Sequence, residues 1–231
     1  MTAAKSREQG GSAALAELCG LYWYPLYVFA RRRGYSPEDA EDLTQGFFLH
    51  LLEHQALARV DRLKGKFRSF LLASFQNYLS IQAHRAGCLK RGGRCEFVTL
   101  DLETAESRYL REPADALTAE KIFDARWAMT LLGRAMTLLG EEYAAQDKTV
   151  IFEILKGFLD LSKAPPSYEC VADTLQISVG SVKSLVHRLR KRFSSTLREE
   201  VGRTVSDPVE VDGEIHALCD ALIAAGRQLV A

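Results

Sequence analysis

Residues Ser167–Phe193 read SYECVADTLQISVGSVKSLVHRLRKRF. The stretch predicts two helices joined by a tight turn. Ser167 can cap the first, which carries Val171, Ala172 and Leu175, with Ala172 small where two helices would cross closely. Ser178 can cap the second. There Val182, Leu185, Val186, Leu189 and Phe193 recur at helical spacing and face a core. The opposite face holds Ser181, Lys183, Ser184, His187, Arg188 and Lys191. Ile177 is expected to bury itself in the turn. Gln176 occupies the turn position where glycine is common, because a left-handed backbone there costs a non-glycine residue about 1 kcal/mol. This is the pattern of a helix-turn-helix with a recognition helix. Ser178, Gly180 and Ser181 offer hydroxyls and N–H groups to phosphate at a helix N-terminus. Lys183, His187 and Arg188 can reach base edges or phosphates in a major groove. Arg190, Lys191 and Arg192 should add phosphate contacts. The competing description is an ordinary amphipathic helical hairpin.

Outward from this stretch the signals remain helical, and the chain is expected to be all-α. Residues 13–33 read as a first helical region, with Pro25 expected to bend or break it and Gly34 to stop it. Ser36 is the N-cap of the next helix, Pro37 suits its first position, and Asp39 can close a capping box. Ala40, Leu43, Phe47 and Leu51 form its apolar stripe. A third helix spans about Phe67–Arg85, burying Leu71, Phe75, Tyr78 and Leu79. Gly87–Thr118, with Gly92-Gly93, Pro113 and many acids, reads as a linker with little structure of its own. Residues 119–160 read as two helices divided near Gly140 or Tyr143–Asp147. A last amphipathic helix near Val209–Val230 carries Val211, Ile215, Leu218, Leu222 and Leu229.

The 231 residues carry 30 basic and 30 acidic side chains, for a net charge of zero. That balance hides segregation. Between Arg59 and Arg94 bases outnumber a single acid, Asp61, and Lys183–Arg192 contains no acid. Two basic surfaces suit two contacts with a polyanion, although solvated basic faces on two helices would look the same. The five cysteines are scattered and form no CxxC pair, which fits a reducing compartment and argues against a disulfide framework. No apolar run approaches the roughly 18 residues of a membrane span. A cytoplasmic address without membrane partners is therefore the expectation.

Two further stretches join the helix-turn-helix. SPEDAEDLTQGFFLHLLE resembles the second conserved region of extracytoplasmic-function sigma factors, the promoter-recognition subunits of bacterial RNA polymerase. GKFRSFLLASFQNYLSIQAHRAGCLKR resembles the promoter-melting part of the same domain. SVGSVKSLVHRLRKRF resembles the recognition helix of the family's fourth conserved region. The resemblance covers about Ala13–Val201, and SDPVEVDGEIHALCDALIAA is similar to the short acidic extension of one subgroup.

The resemblance implies two helical domains, 13–90 and 119–201, joined by an acidic linker at 91–118. A disordered N-terminus (1–12) precedes them and a C-terminal extension (202–231) follows. It implies that Asp39, Glu41, Asp42, Gln45 and Leu49 dock on the clamp helices of the polymerase's largest subunit, with Leu43 and Phe47 as apolar neighbours. The flap of the second-largest subunit is a further implied partner, and an anti-sigma factor or other regulator is compatible with the family. Lys66, Phe67, Arg68, Asn77, Tyr78, Gln82 and Arg85 match the part that handles the minus-ten element, and the loop Ala56–Lys66 matches the segment that captures a flipped-out base. Ser178, Gly180, Ser181, Lys183, Ser184, His187 and Arg188 match the reader of the minus-thirty-five element. The linker's acids would mimic nucleic acid in the polymerase channel. Extra bases usual in the family at Gln82–Gly87 are missing.

Enzymatic readings are weaker. Asp39, Glu41 and Asp42 point around their helix in different directions. His50 and His54, like His84 and Cys88, have two-ligand spacing but lack the fourth ligand of a structural metal site. No P-loop, GxGxxG or nucleophile motif occurs, so neither a cofactor nor catalysis is expected. The main alternative is a stand-alone regulator that reads an operator, which usually requires a dimer. The C-terminal helix is expected to pack within the chain and tune its activity.

Overall fold

A computed structural model describes residues 19–53, 66–86, 102–110, 117–160 and 164–226. The regular structure among them is helical, and no strand occurs among the described residues. The helices are α1 (19–32), α2 (Pro37–Glu53), α3 (Phe67–Ala86), α4 (Leu102–Tyr109), α5 (Ala119–Ala144), α6 (Thr149–Leu155), α7 (Tyr168–Leu175), α8 (Val179–Gly202) and α9 (Glu210–Gly226). A short 3₁₀ turn, Lys156–Phe158, follows α6. The expected N-terminal disorder and the base-capturing loop up to residue 65 lie outside the described residues, as does the side chain of Arg85.

The chain divides into two compact units, Met1–Thr130 with Thr204–Ala231, and Leu131–Arg203. The division differs from the expected boundaries in two places. It falls inside α5, whose first part belongs to the first unit. The C-terminal extension also belongs to the first unit, because α9 buries Val211, Glu214 and Leu218 there.

In the first unit α1 is buried on every side from Tyr22 to Ala30. Its aromatic side chains decide this. Tyr22 stacks on Trp127 with ring centres 5.7 Å apart, Trp23 stacks on Tyr27 at 5.2 Å, and Phe29 meets Phe75 edge-on at 6.1 Å. The helix runs unbroken through Pro25, against the expected break. Proline there removes one helical hydrogen bond at a cost of about 3 kcal/mol. Burying the flanking large side chains returns about 1.5–3 kcal/mol each. Gly34, at φ 92°, ends α1 as the sequence suggests, with the Tyr35 N–H returning to the Ala30 carbonyl at 3.3 Å.

The segment read as an unstructured linker carries α4, and α4 is docked. The Glu106 carboxylate accepts from Arg31 Nη2 at 2.7 Å and Nε at 3.1 Å, and also from the Tyr27 hydroxyl. The Arg31 guanidinium lies 4.7 Å from the centre of the Tyr109 ring, and that of Arg108 lies 3.9 Å from the Tyr24 ring. Ala105 is buried. One acid of the expected linker is therefore spent on an internal pair. The Arg31 hydrogen bond holds the Glu106 carboxyl below its ordinary pKa, against the opposing effect of partial burial.

The second unit is built on Leu139, Phe152, Leu155, Phe158, Val171, Ala172, Val182, Val186 and Leu189. Gly140 stays inside α5. The break comes at Asp147, whose φ of 55° lets the Lys148 N–H reach the Tyr143 carbonyl at 2.9 Å. Near the end of α8, the buried Glu200 is held by Arg134 at 2.5 Å and Arg203 at 2.8 Å.

Candidate nucleic-acid interface

The turn between α7 and α8 is built from caps. The Ser167 hydroxyl accepts from the Cys170 N–H and opens α7, and the Ser178 hydroxyl accepts from the Ser181 N–H at 3.1 Å and opens α8. Between them Gln176 adopts φ 53°, ψ 45°, the left-handed conformation expected of that position. The Ile177 N–H then bonds the Ala172 carbonyl at 3.0 Å, which closes α7. Ile177 itself is 36% exposed and not buried as expected. The turn is held by backbone and cap hydrogen bonds.

The sides of α8 separate cleanly. Val182, Val186 and Leu189 are buried, with Leu185 and Phe193 packed partly against the same core. Gly180, Ser181, Lys183, Ser184, His187, Arg188 and Lys191 are exposed. At about 100° per residue, these fall within an arc of about 160° opposite the core. Lys183, Arg188 and Lys191 form no ion pair with a described residue. Lys183 Nζ lies 5.8 Å from the Tyr168 ring, which steers its stem along α7. The Ser184 hydroxyl bonds back to the Gly180 carbonyl at 3.0 Å, and Ser178 and Ser181 share a hydroxyl contact at 2.9 Å.

Arg190 and Arg192 behave differently. They stand at the two edges of the exposed arc. Arg190 Nη2 donates to the Phe158 carbonyl at 3.2 Å, and Arg192 Nε donates to Glu142 at 2.7 Å. The Glu142 hydrogen bond raises the Arg192 pKa. Arg192 is thus paired with a carboxylate, whereas Arg190 is tethered by a neutral carbonyl that leaves its charge uncompensated; on the outer arc itself the positive charge resides in Lys183, Arg188 and Lys191.

The residues expected at the minus-ten element do not share one face. Asn77 is exposed, and Phe67, Tyr78 and Gln82 are half-buried. Phe67 packs edge-on against Tyr22, and the Tyr78 ring lies 5.6 Å from Phe47 and 5.5 Å from His50. Tyr78 can lie there because residue 46 is glycine: a Cβ at Gly46 would come within 2.5 Å of the Tyr78 hydroxyl.

Arg68 is the clear departure, because it is buried and paired within the chain. It is 7% exposed, its Nε donates to Glu214 Oε1 at 3.0 Å, and its Nη1 donates to Asp124. Its guanidinium lies 5.3 Å from the centre of the Trp127 ring. Burial works against the Arg68 charge, but the Asp124 and Glu214 carboxylates outweigh it and raise the pKa. The Asp124 carboxyl is itself raised, first by burial, with the guanidinium pulling the other way. Lys66 Nζ completes the group, 2.6 Å from Glu214 Oε2.

Sequence reasoning missed Asp124 and Glu214. A signal for Glu214 was present. It interrupts the apolar stripe of α9, three residues after Val211 and four before Leu218, as Arg68 interrupts the stripe of Leu71 and Phe75 in α3. Opposite charges on two buried stripes call for each other.

α2 presents the expected acids. Asp39 also closes the cap, its N–H donating to the Ser36 hydroxyl at 3.1 Å. Asp42 is exposed, and Glu41, Gln45 and Leu49 are half-buried. Helical spacing sets Glu38, Glu41, Asp42, Gln45, Leu49 and the exposed Leu52 along one side. Partial burial raises the Glu41 pKa, and the neighbouring charges of Asp42 and Glu38 add to it. Phe47, expected as an apolar neighbour of this face, is fully buried against Phe75.

Among the described residues no helix is long and apolar enough to cross a membrane, and no cluster of His, Cys, Asp or Glu could hold a metal ion. His54, Cys88 and Cys95 lie outside that description. No protein-family model, curated protein or solved structure matches the chain.

Proposed function

We propose that this chain is a promoter-recognition subunit of RNA polymerase of the extracytoplasmic-function type, which mounts on the core enzyme and reads promoter DNA. The observation that carries the proposal is α8. It is a capped second helix of a helix-turn-helix whose whole outer arc is polar, with Lys183, Arg188 and Lys191 forming no ion pair among the described residues. Such a helix suits a major groove, its N-terminal hydroxyls and N–H groups meeting phosphate and its longer side chains reaching bases.

The acidic side of α2 supports the polymerase half of the proposal. Crowded carboxylates beside Leu49 and Leu52 make a face with a polar rim and apolar patches, suited to a basic partner surface. In this reading α2 grips the clamp helices, α8 reads the minus-thirty-five element, and Asn77, Tyr78 and Gln82 attend the minus-ten element. The flap, an anti-sigma regulator and a cytoplasmic setting belong to the same reading.

The test is association with core RNA polymerase, followed by transcription from a randomised promoter library. Tight binding to core, with selection of a two-element promoter, is expected. Asp42→Lys should weaken core binding without touching duplex affinity. A chain that ignores core yet binds one duplex sequence tightly as a dimer would be a stand-alone operator-binding regulator, and the proposal would fall.

A further inference from the structure

The head of α3 gathers the donors of an anion site, and the protein fills that site itself. The Phe67 N–H, at the start of the helix, donates to the Thr204 carbonyl at 3.1 Å. Arg68 Nε donates to Glu214 Oε1 at 3.0 Å, and Lys66 Nζ lies 2.6 Å from Oε2. A backbone N–H, a guanidinium and an ammonium group thus converge on a carbonyl and a carboxylate from one C-terminal segment. Donor sets of this kind bind phosphate. We propose that Thr204–Leu218 is an internal anion lodged in a phosphate site at the head of α3, and that single-stranded nucleic acid displaces it. The inference rests on reading the head of α3 as a nucleic-acid surface and adds how that surface is regulated.

Two features make the segment displaceable. The turn that leads into α9 is exposed, with Val209 84% exposed. The Glu214 carboxylate is also held from a partly exposed position, by Lys66 Nζ 2.6 Å from Oε2. The contact is therefore mainly ionic, and Lys66, 33% exposed at its side chain, is reachable by a competing phosphate. After release Arg68 keeps Asp124, while Lys66 loses its carboxylate partner. The head of α3 becomes net positive when α9 leaves.

The experiment uses the full chain without polymerase and a labelled single-stranded DNA oligonucleotide, read by fluorescence anisotropy at low salt. Glu214→Gln should bind about tenfold tighter than the wild type. Its salt dependence should steepen by about 0.7, the contribution of one freed phosphate contact on a single strand. Adding Lys66→Gln to Glu214→Gln should abolish the gain. Hydrogen exchange on the wild-type chain supplies a second measurement that needs no variant. Amides of Glu210–Gly226 should exchange faster when the oligonucleotide is saturating. If Glu214→Gln folds and binds no tighter, or if wild-type exchange in α9 is indifferent to the oligonucleotide, the inference is overturned. Failure to bind core polymerase would sink the promoter-subunit proposal and leave these two outcomes as they are.

Discussion

Replacing Lys183, Arg188 and Lys191 together by glutamine should flatten the salt dependence of nonspecific duplex binding. All three are exposed on the outer arc of α8, and none forms an ion pair with a described residue, so their charge is available to phosphate. Each phosphate neutralised on duplex DNA contributes about 0.9 to the slope of log affinity against log salt, so the triple variant should lose about 2.7. Between about 50 and about 200 mM salt, wild-type binding should therefore fall about fortyfold more than that of the variant. Arg192→Gln is the control. Its guanidinium is ion-paired with Glu142, and its removal should change the slope little. Anisotropy titrations across the salt range measure both slopes. A triple variant with the wild-type slope, or a larger flattening from Arg192→Gln, would refute the assignment of the outer arc as the phosphate-facing surface.

Gln176→Gly should stabilise the second unit. It removes a left-handed strain of about 1–2 kcal/mol and costs about 0.5–1 kcal/mol of added freedom in the unfolded chain, so urea unfolding should shift by a few tenths to about 1 kcal/mol. Glu200→Gln should destabilise by about 1 kcal/mol, because ion pairs with the partly exposed Arg134 and the exposed Arg203 become weaker neutral contacts; an unchanged urea midpoint would show that solvent already serves those groups. The docking of α4 should fail in acid. The folded pKa of Glu106 is lowered, so its stabilisation is full above the ordinary value of 4.5 and is lost as pH falls through the lower folded value. Amide exchange at Ala105–Tyr109 should follow that loss in the wild type, and Glu106→Gln should show no such acid step.

Apart from α4, the described helices were legible. Ser36, Ser167 and Ser178 all cap where the sequence placed them, Gly34 ends α1 at positive φ, and Gln176 takes the left-handed turn. Each depends on a side chain acting on backbone within a few residues. The polar face of α8 was legible for a related reason: period alone separates Val182, Val186 and Leu189 from Lys183, His187 and Arg188.

What the sequence could not assign were roles that depend on partners distant along the chain. Arg68 reads as a surface base among basic neighbours, and only the arrival of Asp124 and Glu214, remote in sequence, turns it into a buried ion. Glu106 reads as one of many linker acids until Arg31 and Tyr27 claim it. Arg190 and Arg192 are indistinguishable from Lys191 in the string, yet the edges of the helix meet Phe158 and Glu142 while its outer face does not.

Local propensity and hydrophobic period therefore determined the all-helical elements, their caps and the polar arc of α8, because those are short-range properties of the chain. Tertiary structure alone decided which charges remain for a partner and which compartment each helix joins. A charge is settled by the groups that surround it once water is excluded, and the chain brings those groups from far along its length.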